Sequence, residues 1–344
     1  MKNMSYTLAV MLLLAAPLAS KAQGRNANEL ATNLPGATTF AAPPEGFSVL
    51  AASDEQLADY GFPPRPDPAA SPKEYAAWSK AMLASRRRIV PSLQQTSIFH
   101  GLARLRQTGK STEENTLQSY NWSGYVDSSG AKSYGSSSFY YAESNMIVPT
   151  AQPAGDSCTG IYDYAYSWVG IDGWTGSNDI LQGGIEFDAL CSLGVQVTYY
   201  SAFYEWYPGA EVHITNFPIA PGDDIFVDAW HTSSTKAQVY LSNYNTGMAV
   251  QVGFSAPAGT KLIGNSAEWI TERPNLNGQG TTLTNYLDQL FYGSEAVTEK
   301  KHTSYPGSSS SKQVIMLDDN GKPISAPTAL GNSAFLLQDE GSAY

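Results

Sequence analysis

Residues 166–189 read Tyr-Ser-Trp-Val-Gly-Ile-Asp-Gly-Trp-Thr-Gly-Ser-Asn-Asp-Ile-Leu-Gln-Gly-Gly-Ile-Glu-Phe-Asp-Ala, two strands joined by a polar turn. Side chains alternate across a pleated strand, so Trp168, Gly170 and Asp172 point one way and Val169 and Ile171 the other. In the second strand Leu181, Ile185 and Phe187 form an apolar face. Gln182, Glu186 and Asp188 share the opposite face with Gly184. Polar groups beside a glycine gap suit a face that meets solvent or a ligand, which describes a groove.

Working outward, the chain continues as strand and turn material from Tyr120 to the end. Strands are expected around 121–126, 137–148, 195–207, 224–230, 237–243, 249–254, 267–271, 314–317 and 334–338, the last two flanking a hairpin-like Asp-Asp-Asn-Gly at 318–321. Even spacing without a long helix predicts an all-β chain folded as a β-sandwich. Within 195–207, Glu205 shares a face with Val195, Val197, Tyr199, Phe203 and Tyr207. In that company it should be hydrogen-bonded or line a cleft.

The front of the chain differs. At 344 residues the length allows two or three domains, although one all-β unit can exceed 200 residues. Lys2, the apolar run Leu8 to Leu14 and Ser20-Lys21-Ala22 make residues 1–22 a secretory signal, so a secreted protein is expected, with no membrane span once the signal is removed. Residues 23–118 read as a pro-segment. Up to about Pro72 it is rich in Ala and Pro and suits an extended linker. A helix then follows from Pro72 to about Arg88, with a capping box at Ser71 and Glu74 and a Tyr75/Trp78/Met82 stripe.

Charge divides the same way. Residues 73–110 hold eight Lys/Arg against one acid, a net of +7, whereas residues 119–344 hold eight Lys/Arg against 22 Asp/Glu, a net of −14. A basic stretch behind an export signal and ahead of an acidic body is expected to lie on that body as an intramolecular inhibitor; no nucleic-acid partner is expected. Cys158 and Cys191, the only cysteines, favour one disulfide in an exported protein, a metal site being the weaker alternative. His100, His213, His231 and His302 show no zinc-binding helix spacing, and no metal or cofactor is expected.

The familiar hydrolase signatures are missing: no Gly-x-Ser-x-Gly elbow, no triad identifiable from spacing, no Asp-Thr-Gly or Asp-Ser-Gly. The acid–base groups that remain are carboxylates supported by amides. Asn121-Trp-Ser-Gly124, Trp168-Val-Gly-Ile-Asp-Gly173, Ile180-Leu-Gln-Gly-Gly-Ile185, Tyr204-Glu-Trp-Tyr-Pro208 and Ala267-Glu-Trp-Ile270 resemble the conserved blocks of the glutamic peptidases, the eqolisin or G1 family, in the family's order. The resemblance covers most of residues 119–344. It implies a sandwich of two curved antiparallel sheets, a concanavalin-like jelly roll, behind a partly helical pro-segment. It also implies a secreted acid endopeptidase made as a zymogen, with Gln182 and Glu268 as the catalytic pair. Where the family has Gln-Thr-Gly followed by an Asp, this chain has Gln182-Gly183-Gly184 and Glu186.

Such a pair can hydrolyse an amide. Glu268, ionised in weak acid, takes a proton from the attacking water and returns it to the leaving nitrogen, and the Gln182 amide holds the oxyanion at any pH. Trp122, Trp168, Asp172, Glu186 and Glu205 are the expected substrate-binding and supporting residues, the partners are polypeptides, and a monomer is the expected state. Two other readings use the same residues: a jelly-roll glycoside hydrolase with paired carboxylates at Glu186 and Glu205, and a non-catalytic carbohydrate-binding sandwich.

Overall fold

The alternation in 166–207 is realised as a long antiparallel hairpin, Ile180–Ser192 against Val195–Tyr207, in unbroken register from Ile180 opposite Tyr207 to Ser192 opposite Val195. The computed structural model describes residues 26–106, 116–155, 158–276 and 279–339; the signal sequence expected at 1–22 lies outside them. Tyr166–Ile171 pairs with Ile180–Ser192 on one side and Ala267–Glu272 on the other. Trp122–Asp127 and Ser311–Leu317 extend this layer beyond Ala267–Glu272.

A second layer is built in the order Met248–Ser255, Lys236–Asn243, Asp224–Ser233, Phe139–Ile147, Asp288–Thr298, Ala334–Asp339. Pro323–Ala329 bridges the layers, pairing with Ser311–Leu317 and Ala334–Asp339. Apart from the separate pair Asn275–Leu276 and Gln279–Gly280, the strands of the described residues thus form one hydrogen-bonded sheet folded over on itself, antiparallel except where Met248–Ser255 meets Arg87–Ile89 and Ser311–Leu317 meets Thr116–Ser119. The expected β-sandwich is what the chain forms. Val169, Ile171, Leu181, Ile185 and Phe187 fill the space between the layers with Ile225, Val227, Val239 and Leu241. Burying each such side chain stabilises the fold by roughly 1.5–3 kcal/mol.

Two sequence expectations about the body change. The turn at 318–321 joins Ser311–Leu317 to Pro323–Ala329, a strand the sequence did not reveal, and not directly to Ala334–Asp339. The eleven-residue strand Asp288–Thr298 was also missed, because Gly293 and register shifts between Tyr292 and Glu295 break its alternation.

The N-terminal segment is a folded wrap. The stretch up to residue 72, expected to be an extended linker, instead contains two short strands, Glu29–Ala31 and Thr38–Phe40, and a helix, α1 (Asp54–Asp59). Phe40, Leu57 and Phe62 are buried, so its few large apolar residues suffice to dock it. The capping box belongs to α1, where Ser53 and Gln56 cap reciprocally. The second helix, α2 (Pro72–Ala84), has Pro72 in its first turn but no side-chain cap from Ser71, and it stops four residues short of the expectation because Arg87–Ile89 joins the sheet. Its Trp78, Ala81 and Met82 pack with Tyr141, Phe226 and Trp230 on the outer face of the second layer.

Candidate active site

Strand register places the two residues expected to form the catalytic pair. Gln182 stands opposite Gly170, and Glu268 stands opposite the same Gly170 from the other side. Directly opposed residues project to the same face, so the carboxamide and the carboxyl share one face and one cross-strand row. The glycine leaves a gap between them, and two inter-strand spacings put their Cα atoms about 9–10 Å apart. A Cβ at Gly170 would come within 2.9 Å of the Leu181 carbonyl and 3.0 Å of the Trp168 ring. The residues at 182 and 268, 86 positions apart in sequence, therefore meet through one strand that both neighbours pair with.

The expected supporting residues fall into distinct places. Glu205 extends the row, opposite Gln182, and its Oε2 accepts from Gln182 Nε2 at 2.9 Å. Gln182 Oε1 makes no hydrogen bond. Trp122 and Trp168 lie edge to face with ring centroids 5.0 Å apart, and the Trp168 indole donates to Glu272 Oε2 at 3.0 Å. Asp172 is engaged by the loop before Glu268 and not by a hydrogen bond to the pair. Its carboxylate accepts the backbone N–H groups of Ile263 (2.7 Å), Gly264 (3.1 Å) and Asn265 (2.8 Å), clamping the loop that leads into Glu268.

Glu186 lies further along its strand, in a second polar cluster. It accepts from the Tyr166 hydroxyl at 2.6 Å and faces His213 Nε2 at 3.0 Å. Glu211 Oε1 lies 2.6 Å from the same nitrogen. Glu186, Glu211 and His213 are the one group among the described residues whose atoms converge as metal ligands can. Here the imidazole meets both carboxylates itself, and they push its pKa up to about 10 despite burial. Glu211 and His213 were not singled out in the sequence, although their i, i+2 spacing in a strand puts them on one face. Glu186 and Glu205 sit four residues apart along their strands, about 13 Å, beyond the 5–9.5 Å or so that carboxylates on one glycosidic bond require. That pairing does not support the glycosidase reading.

Glu268 is wholly buried, and neither of its carboxylate oxygens makes a hydrogen bond. Burial pushes its pKa well above the ordinary value; the Ser266 hydroxyl opposes the shift, while the charges of Asp172 and Asp127 add to it. What covers this face is the N-terminal segment. Leu93–Gln95 pairs with Val212–Ile214 at the sheet edge. The chain then crosses as a strap, its Ile98, Leu102, Ala103 and Leu105 packing on the tryptophan cluster. The His100 N–H donates to both oxygens of Glu205 at 3.2 Å, the Leu102 carbonyl accepts from Asn121 Nδ2 at 3.2 Å, and the Ala103 N–H donates to the Gly173 carbonyl at 3.2 Å. The His100 ring is buried against Phe203 and Tyr166, with Nδ1 3.5 Å from Glu272 and Nε2 3.7 Å from Glu211. At the far end of the hairpin, Cys158 and Cys191 form the expected disulfide.

Comparison with known proteins agrees with this architecture. The model of a family described as the Peptidase A4 family matches residues 120–337. The chain is 33% identical over 172 residues to aspergillopepsin-2 of Aspergillus niger, 49% of this chain and 57% of that protein. It is 32% identical over 160 residues to scytalidopepsin B of Scytalidium lignicola, 46% of this chain and 54% of that protein. The matches thus span just over half the length of these curated relatives. A crystal structure of scytalido-glutamic peptidase with a transition state analogue inhibitor superimposes with a TM-score of 0.52 at 23% identity, covering 64% of this chain and 98% of that one, a likeness of fold.

Proposed function

This chain belongs to the Peptidase A4 family, the eqolisins, and from that premise we propose that it is a secreted acid endopeptidase made as a zymogen, in which Gln182 and Glu268 act on the peptide bond. The observation that carries the proposal is the shared row: an amide and a carboxyl on one face, either side of a glycine gap, under an extended segment of the chain's own backbone. The strap runs where an extended peptide substrate would run.

The closed form is inactive for two physical reasons. The strap occupies the groove, and a dry Glu268 holds its proton and cannot act as a base. Once the strap leaves, water returns, the Glu268 pKa falls toward the ordinary carboxylate range, and the carboxylate ionises in weak acid. It then removes a proton from a water over Gly170 as that water attacks the amide carbon, and it delivers the proton to the leaving nitrogen. One Gln182 N–H is held by Glu205; the other is free to donate to the developing oxyanion. Trp122 and Trp168 wall the groove, Asp172 positions the loop before Glu268, and Glu186 orders the Tyr166 side with His213.

The expected +7 attraction takes a different form. Among the described residues, one Lys or Arg of residues 73–106 pairs with an acid of the body, Lys80 with Asp224 at 3.5 Å. Apolar packing and backbone hydrogen bonds hold the segment. The cut that frees the strap is placed between Arg106 and Gln118, and residues 107–115 of that interval lie outside the described residues.

The test is cleavage of a denatured protein at acid pH by Glu268→Gln and Gln182→Ala after the same acid treatment as the wild type. Glu268→Gln should lose activity by at least ~100-fold and Gln182→Ala by ~100- to 1,000-fold. Either variant keeping most of its activity while folded removes the role assigned to that residue.

A further inference from the structure

The outer face of the second layer carries three carboxylates in one cross-strand row. Asp228 stands opposite Glu143, and Glu295 stands opposite Glu143 on its other side. None is more than 1% exposed. Both oxygens of Glu143, both of Asp228 and Oε2 of Glu295 make no hydrogen bond, while Glu295 Oε1 accepts from the Tyr141 hydroxyl at 2.6 Å. Among the described residues no Lys, Arg or His forms an ion pair with any of the three.

What closes this face is α2 and the chain around α1. Trp78, Ala81 and Met82 lie on Tyr141, Phe226 and Trp230. This surface is on the opposite side of the sandwich from the strap, so clearing the groove does not require clearing it. Apolar packing of the buried Trp78, Ala81 and Met82 on this face is what holds the segment there without a covalent link.

We infer that residues 26–84 are a lasting lid on the outer face: after the chain is cut beyond the strap, the N-terminal piece that carries them stays bound in acid as a separate chain and leaves as the pH rises past neutrality. Three adjacent carboxyls sealed from water cannot all be charged. Burial, reinforced by the neighbouring carboxylates, pushes Glu143 and Asp228 well up and Glu295 to about 8. Docked carboxyls keep protons that free ones release, so docking takes up protons. Its stabilisation is fully present below the ordinary carboxylate range and is lost as pH climbs toward 8.

The other charged and titratable groups around the row do not reverse the sign: the Arg88 guanidinium lies over the rings of Phe62 and of Tyr240, which stands opposite Asp228, and forms no ion pair with the three carboxyls. Glu74 of α2 adds negative charge and accepts from the Tyr305 hydroxyl at 2.7 Å. Tyr140 and Tyr141 are themselves pushed upward by burial and by these carboxylates. Lys80 is turned to Asp224 and Tyr292, and Lys73 lines a cavity of about 30 Å³ beside Glu74 and Glu295 without pairing with any of the three carboxyls.

The inference takes from the proposed function only that a cut occurs, and the test supplies the cut independently. A specific protease site is inserted within residues 107–115 of the Glu268→Gln chain, the chain is cut, and the pieces are separated by size at pH 4 and pH 8 and weighed by mass spectrometry. The N-terminal piece should co-elute with the body at pH 4 and separate at pH 8, its apparent Kd weakening by on the order of 100-fold or more. The triple variant Glu143→Gln/Asp228→Asn/Glu295→Gln, which mimics the protonated row, should hold the piece at both pH values. Loss of the piece at pH 4, or equal retention by the unmodified row at both, overturns the inference. Hydrogen exchange of the α2 amides in the uncut chain provides a second measurement: protection relative to intrinsic rates should fall from pH 4 to pH 8, and constant protection counts against the row.

Discussion

The Gln182 amide donates to Glu205 across one strand pair at 2.9 Å, and the same carboxylate receives the backbone N–H of His100 from the strap. Glu205 therefore orients the amide and grips the segment that covers it. In activated enzyme, Glu205→Leu should lower kcat about 10- to 100-fold with little change in KM, because the amide loses its fixed direction and the substrate keeps its other contacts. Glu205→Gln should restore part of the loss. A variant that raised KM alone would make Glu205 a substrate-binding group.

At Gly170 the open space is itself the functional element. A methyl group here would press on Leu181 and Trp168 and stand between Gln182 and Glu268. Gly170→Ala should therefore cost about 1–3 kcal/mol of stability by overpacking and remove most activity even at temperatures where the variant is folded. Thermal unfolding and peptide cleavage measured side by side separate these effects; full activity in the folded variant would mean that the gap is not where the water sits.

Much of this arrangement was legible in the sequence for a definite reason. Strict alternation in 180–188 puts Leu181, Ile185 and Phe187 inward and Gln182, Glu186 and Asp188 outward, and any register that buried the first set had to expose the second to the groove. Glu268 carries no such signal by itself, since one glutamate beside a tryptophan suits any strand; only the Ala267-Glu-Trp-Ile270 block pointed to it. The N-terminal wrap was misread because Ala and Pro dominate its composition, yet the Ser53–Gln56 capping box and the spaced Phe40, Leu57 and Phe62 were present to be seen. The row of Asp228, Glu143 and Glu295 could not be read at all: its members belong to three strands whose order is set by tertiary pairing.

Asp172 sits at a left-handed backbone angle (φ 69°) and takes three consecutive N–H groups from the 263–265 loop. Asp172→Ala leaves those buried donors unmatched. A stability loss of about 3–5 kcal/mol is expected, together with a fall in kcat, because the loop runs directly into the Glu268 strand. Asp172→Asn should be milder in both. Unchanged thermal stability in Asp172→Ala would show that water replaces the carboxylate and that the clamp does not position Glu268.

His231 sets a limit on acid tolerance. Its ring is buried, Nε2 lies 3.1 Å from the Phe139 carbonyl, and desolvation lowers its pKa from 6.5 to about 4, with Glu299 at 3.6 Å too exposed to offset that cost. The folded chain thus binds fewer protons at this position than the unfolded chain. The stabilisation from a neutral His231 is fully present above pH 6.5 and is lost as pH falls from there through 4, about 3 kcal/mol in all. His231→Gln, which can still meet the Phe139 carbonyl, should be less stable than wild type at pH 7 and should lose less stability between pH 7 and pH 3. Denaturant unfolding of the uncut chain at both pH values measures the difference, and parallel losses in the two proteins would mean that His231 titrates normally.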